Sequence, residues 1–169
     1  MYRDTTTQMA ALAVEKMKFL KVNPLGFAVS TMMAGAYVGI GIILILTLGN
    51  DADPLSRNLI MGCFFGITLT LIVFAGAELF SGHTMFMTFG YLYKKLTIAQ
   101  VIFDWVICWS GNLFGSMLLG VLFALGGGGG WLDEPTSLFH TIAASKVEAG
   151  IFELVARPII CNWLICLAI

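Results

Sequence analysis

Apolar residues fall into four long runs along this chain, separated by short polar stretches. The first, Leu25 to Leu48, carries no charge. It predicts a membrane-spanning helix, since a bilayer core takes about 20 helical residues. Pro24 suits its start. Ile98 to Leu125 predicts a second span, with Asp104 near its beginning. Between these two lies Leu59 to Leu92, whose one formal charge is Glu78. This run is too long for one span and has no polar gap wide enough to make two. Its break falls in AGAELFSGHT, Ala75 to Thr84, where an acid, a Ser, a His, a Thr and two Gly interrupt the apolar pattern. Non-helical backbone at membrane depth survives where protein buries it or where it lines a wet cavity. A broken membrane helix therefore points to a substrate site in a transporter or channel. The other reading is a full helix followed by a short interfacial helix, with Glu78 at the membrane edge.

The flanking segments are different in kind. Met1 to Lys21 carries Arg3, Lys16, Lys18 and Lys21, with Asp4 to Thr7 able to cap a helix and Met9, Leu12 and Leu20 forming a loose apolar face. It reads as a short amphipathic helix lying on the membrane surface, and not as a cleavable signal peptide, because no A-x-A site follows. Gly126 to Gly130 is a run of glycines, with no strand before it and no Lys-Ser or Lys-Thr after it. It predicts a flexible turn and no phosphate loop. Trp131 to His140 continues that loop with Asp133 and Glu134. In the last segment, Ser145 to Ile169, Lys146 stands at the expected helix start and Glu153 and Arg157 pair at i,i+4. Pro158 is expected to kink or end the first part of this helix. IICNWLICLAI then runs to Ile169 with no polar flank, which reads as a sequence truncated within the fourth segment.

Composition settles the class. Of 169 residues, 59% are hydrophobic and 11% charged, against about 25% charged in soluble domains. The chain is an all-α integral membrane protein whose partners include membrane lipid. A net charge of −1 gives no footing for nucleic acid. Cys63, Cys108, Cys161 and Cys166 lie in apolar segments without C-x-x-C spacing, as small core residues do. With no nucleophile–base pair, metal constellation or cofactor motif, the sequence does not read as an enzyme, a metalloprotein or a cofactor protein.

Small residues mark helix contacts. Gly35 and Gly39, and again Gly111 and Gly115, form G-x-x-x-G pairs. Such pairs let backbones approach closely in lipid, so the first and third spans belong to a bundle and suggest a multimer. Asp104 is expected to form an interfacial ion pair with Lys94 or Lys95. The excess of Lys and Arg at the N-terminal side and in the Lys94 loop, against Arg57 and Lys146 elsewhere, places the N-terminus in the cytoplasm.

NPLGF at 23–27, AGAYVGIGIIL at 34–44, AGAELFSGHTMF at 75–86, GNLFGS at 111–116 and CNWLICLAI at 161–169 resemble the formate/nitrite transporter family, most of all its nitrite-channel branch. The resemblance runs from Asn23 onward. It implies an aquaporin-like inverted-repeat helical bundle with a broken second helix, assembled as a homopentamer in the bacterial inner membrane, each protomer with a pore for small inorganic or carboxylate anions. Nitrite is the implied substrate, with formate and hydrosulfide as further candidates. Residues 1–22 would be a cytoplasmic helix and 23–169 the membrane domain, comprising a first three-helix repeat, 23–125, and the start of a second, 141–169.

The resemblance also implies roles. Leu79, Phe80 and Ser81 match the loop that narrows the pore, with Ser81 where the family commonly has Thr. Phe65 and Leu69 match the cytoplasmic constriction. Lys146 matches a vestibule lysine, and Asn162 an asparagine that partners the family's central pore histidine. That histidine lies in a fifth segment beyond this sequence, and Pro158 replaces a small residue. His83 is expected to line the loop or cap a helix. Glu78 is expected to bond backbone N–H groups of the broken loop, because an acid repels anions and an unpaired one is costly at this depth. Two other classes share some of these features. An aquaporin-type neutral-solute channel would carry Asn-Pro-Ala at each half-helix, which is absent here. A non-transporting membrane subunit fits the glycine pairs but not the polar break.

Overall fold

A computed structural model describes residues 2–130 and 137–168, and Asp133 and Glu134 lie outside them. Seven α-helices make up the described chain: α1 (Tyr2–Val22), α2 (Pro24–Asp51), α3 (Arg57–Ala75), α4 (Phe80–Leu92), α5 (Ile98–Leu125), α6 (Leu138–Val147) and α7 (Ile151–Ala168). Helices α2, α3 and α5 are each long and apolar enough to cross a membrane. The α6–α7 pair would supply a fourth span, but it is bent by 113°.

Local chemistry sets most of these boundaries. Asn23 accepts a hydrogen bond from the Gly26 N–H at 2.9 Å, and Pro24 occupies the first helical position, where no N–H is needed. Thr97 and Gln100 form a capping box at the start of α5. Asp4 lies within the first turn of α1 and not ahead of it, where a carboxylate favours the positive end of the helix dipole.

Helices α2 and α5 pack backbone to backbone. A Cβ on Gly35 would run into the Asn112 carbonyl, one on Gly115 into the Met32 carbonyl, and one on Gly111 into the Thr31 side chain. The two small-residue faces thus meet each other within one chain, so they carry no argument about assembly. Gly41 of α2 admits the buried Thr68 of α3 in the same way.

Four expectations are corrected here. Helix α1 does not give its apolar face to lipid. Ala10, Ala13, Met17 and Leu20 recur at helical spacing and are buried, and Gly90 of α4 is in close contact with Ala13 and Leu96. Leu12, placed on that face by the sequence, is 39% exposed. Pro158 lies inside α7 and does not end it. The sharp bend falls earlier, between Val147 and Ile151, so Lys146 occupies the last turn of α6 and not a helix start. Of the four cysteines, Cys108 is fully buried, whereas Cys63 and Cys161 are exposed and Cys166 is half-buried.

Candidate functional site

Between α3 and α4 the chain leaves helical geometry for four residues, Gly76 to Leu79. Gly76 takes φ 64°, the left-handed conformation that glycine adopts without steric cost. Its N–H bonds the Val73 carbonyl at 3.1 Å and the Ala77 N–H bonds the Ile72 carbonyl at 3.0 Å, which is the Schellman closure. The break is therefore shorter than Ala75 to Thr84. Phe80 and Ser81 begin α4, and His83 and Thr84 lie inside it.

One side chain holds the broken backbone. Asn112 stands halfway along α5, so the loop sits beside the middle of a spanning helix. Its Oδ1 accepts from the Phe80 N–H at 2.9 Å. Its Nδ2 donates to the Glu78 carbonyl at 3.0 Å and to the Thr31 carbonyl at 2.8 Å. The Glu78 N–H reaches the Ser30 carbonyl at 3.4 Å. Backbone freed from a helix at this depth needs such partners, because hydrocarbon supplies none. Sequence reasoning missed Asn112. The signal was an amide lying between Gly111 and Gly115, on a span otherwise chosen for apolar and small residues.

The carboxylate of Glu78 does not serve the loop as expected. It takes an ion pair from Lys16 of α1 and a 2.8 Å hydrogen bond from His83 Nε2. Across the ring, His83 Nδ1 meets Asp104 Oδ2 at 2.7 Å. Asp104 is thus no interfacial partner of Lys94 or Lys95: it is fully buried. His83 caps no helix but lies against the loop, where its Nε2 meets the Glu78 carboxylate; its ring is enclosed and stands edge-to-face with Phe27 at a centroid distance of 5.6 Å. The helix period explains the Asp104 error. Val101, Asp104, Cys108 and Gly115 all lie on the buried face of α5, and proximity to lysines in sequence says nothing about that face.

On the other side of the break, Phe80, Ser81, Thr84 and Asn162 line a concavity of about 400 Å³ together with apolar residues of α7. Asn162 Nδ2 donates to Thr84 Oγ1 at 3.1 Å, and Thr84 Oγ1 donates to the Ser81 carbonyl at 2.6 Å. Ser81 Oγ is buried without a hydrogen-bond partner among the described residues. Leu79, Phe80 and Ser81 also line a second concavity, against Trp109, Asn112 and Ser116 of α5. The break thus gathers Leu79, Phe80, Ser81 and Asn162. Phe65 and Leu69 are half-buried on α3 and line neither concavity, and Lys146 is exposed at the far end of α6.

The model of the formate/nitrite transporter family matches residues 3–169. A nitrite transporter of Escherichia coli strain K12 is 48% identical over 172 residues, which cover 100% of this chain and 63% of that protein. A formate channel of Bacillus thuringiensis is 33% identical across 81% of this chain and 54% of its own length. A solved FNT family ion channel superposes with a TM-score of 0.94 at 47% identity, covering 98% of this chain and 66% of that one. The chain spans 54% to 66% of the length of these relatives. The matched length, the broken helix and the close superposition agree, and the chain belongs to the formate/nitrite transporter family.

Proposed function

We propose that the protein containing this chain conducts small monovalent anions across the bacterial inner membrane, nitrite foremost, with formate or hydrosulfide as further substrates. The observation that carries this reading is the unpartnered Ser81 hydroxyl, buried beside Thr84 and Asn162 in an otherwise apolar concavity at the break. A hydroxyl replaces part of an anion's hydration shell without a fixed charge, and conduction needs binding weak enough to release. Phe80 presents apolar surface in that concavity and Leu79 in the adjoining one against α5, which excludes ions that keep their water. Phe65 and Leu69 are assigned to a second, cytoplasmic constriction, and Lys146 to a vestibule where an exposed cation gathers anions. Asn162 is assigned to the binding site on its bond to Thr84.

The 48% identity to a nitrite transporter supports nitrite as first choice. A homopentamer with a cytoplasmic N-terminus fits the distribution of Lys and Arg and the apolar surface left on α5 and α7. Flux of nitrite, formate, hydrosulfide and glycerol into proteoliposomes holding the full-length protein tests the proposal. Anion flux with no glycerol flux is expected; glycerol flux alone, or none at all, would overturn it.

A further inference from the structure

We propose that Lys16 is a specificity-determining residue: reaching in from α1, it cancels the charge of Glu78 beside the pathway and so keeps the break permissive to anions. This rests on the anion-conducting reading above. Four ionisable groups from four parts of the chain form one line: Lys16, Glu78, His83 and Asp104. The 2.8 Å and 2.7 Å contacts of His83 with Glu78 and Asp104 each need a proton between them, and two protons leave the three groups with one net negative charge. That charge is then neutralised by Lys16 alone among the described residues. Cys108 also faces this group, donating from Sγ to the Glu78 carbonyl at 3.4 Å, and adds no charge as a thiol. Phe86 lies 5.4 Å from the Lys16 ammonium and offers it a ring face.

The line is no proton conduit, because it ends blind: Asp104 is fully buried and its Oδ1 has no partner among the described residues. Its effect on the pathway is electrostatic. Leu79 lines both the cleft that holds Lys16, Glu78 and His83 and the concavity against α5 that Phe80 and Ser81 share. At an effective dielectric of about 20, a charge held roughly 10 Å from an anion changes its occupancy about tenfold.

Lys16→Met removes the cation and keeps much of the stem's bulk. Neutrality then requires one extra proton on the Glu78–His83–Asp104 group. Nitrite flux of the full-length K16M protein in proteoliposomes is therefore expected to fall about tenfold at high pH and to recover towards wild type as pH is lowered. The double variant K16M/E78Q is neutral without that proton and regains flux at high pH. K16M flux equal to wild type at every pH, or a defect that E78Q does not relieve, would overturn the proposal, the latter by showing that Lys16 matters only for packing. Infrared difference spectra give a readout independent of conduction. K16M should gain a carboxylic-acid band at low pH that disappears as pH rises and is missing from K16M/E78Q; failure to gain it overturns the proposal. If the band behaves so while the wild-type protein carries no anion, the charge cancellation stands and the anion reading falls.

Discussion

Asn112→Ala is the sharpest test of how the break is held. The substitution removes three hydrogen bonds at 2.8 to 3.0 Å: one accepted from the Phe80 N–H and two donated to the Thr31 and Glu78 carbonyls. Their values are not equal. Thr31 lies within α2, where its carbonyl keeps a helical donor. Phe80 N–H opens α4 and has no helical acceptor of its own. An orphaned buried amide costs about 1–3 kcal/mol, and each of the two carbonyls that lose a partner adds roughly 0.5–1.5 kcal/mol, giving a destabilisation of roughly 2–6 kcal/mol. Reversible unfolding in detergent micelles measures it, and nitrite flux in proteoliposomes reports whether the loop has moved. Asn112→Asp separates shape from chemistry. It keeps the acceptor for Phe80 but sets a carboxylate against two carbonyls, so it should be at least as damaging as Ala. A stability change below about 0.5 kcal/mol for N112A, the range of ordinary surface substitutions, would refute the reasoning and show that water or relaxation replaces the amide.

Three further outcomes are expected. Gly35→Ala should destabilise the α2–α5 pair by about 1–3 kcal/mol, and Gly39→Ala by less, because the first Cβ meets the Asn112 backbone and the second the tip of the Leu119 side chain; thermal unfolding ranks them, and equal effects would contradict the packing account. Lys146→Ala should lower anion flux more at low salt than at high, since an exposed cation acts over a screening length of about 8 Å at physiological salt; a salt-independent loss would place the charge inside the pathway. Phe65→Ala and Leu79→Ala should admit larger anions, because the width of an apolar barrier sets the dehydration each ion undergoes; competition assays with anions of graded size would show it, and unchanged preference in both would remove the two residues from the barrier.

Hydropathy alone determined two of the spans of this chain. The runs Leu25–Leu48 and Ile98–Leu125 became α2 and α5 nearly to the residue, because a bilayer leaves a backbone little choice but to satisfy itself as a helix. Small residues at G-x-x-x-G spacing announced close helix contacts, and AGAELFSGHT announced a break. Each of these depends on local chemistry or on a repeat that a linear pattern displays. The tertiary structure alone decided partners. Asp104 sits about ten residues on from Lys94 and Lys95, yet its helix turns it inward to His83. Glu78 was read as the loop's brace, while Asn112 of α5 took that task and left the carboxylate to Lys16, 62 residues away in sequence. The glycine pairs marked faces without saying that they face each other. A periodicity states which side of a helix is buried; which helix lies against it depends on how several helices share one volume. For buried charges that arrangement matters most, since at low dielectric each charge interacts strongly with the charged and polar groups that other helices bring near it.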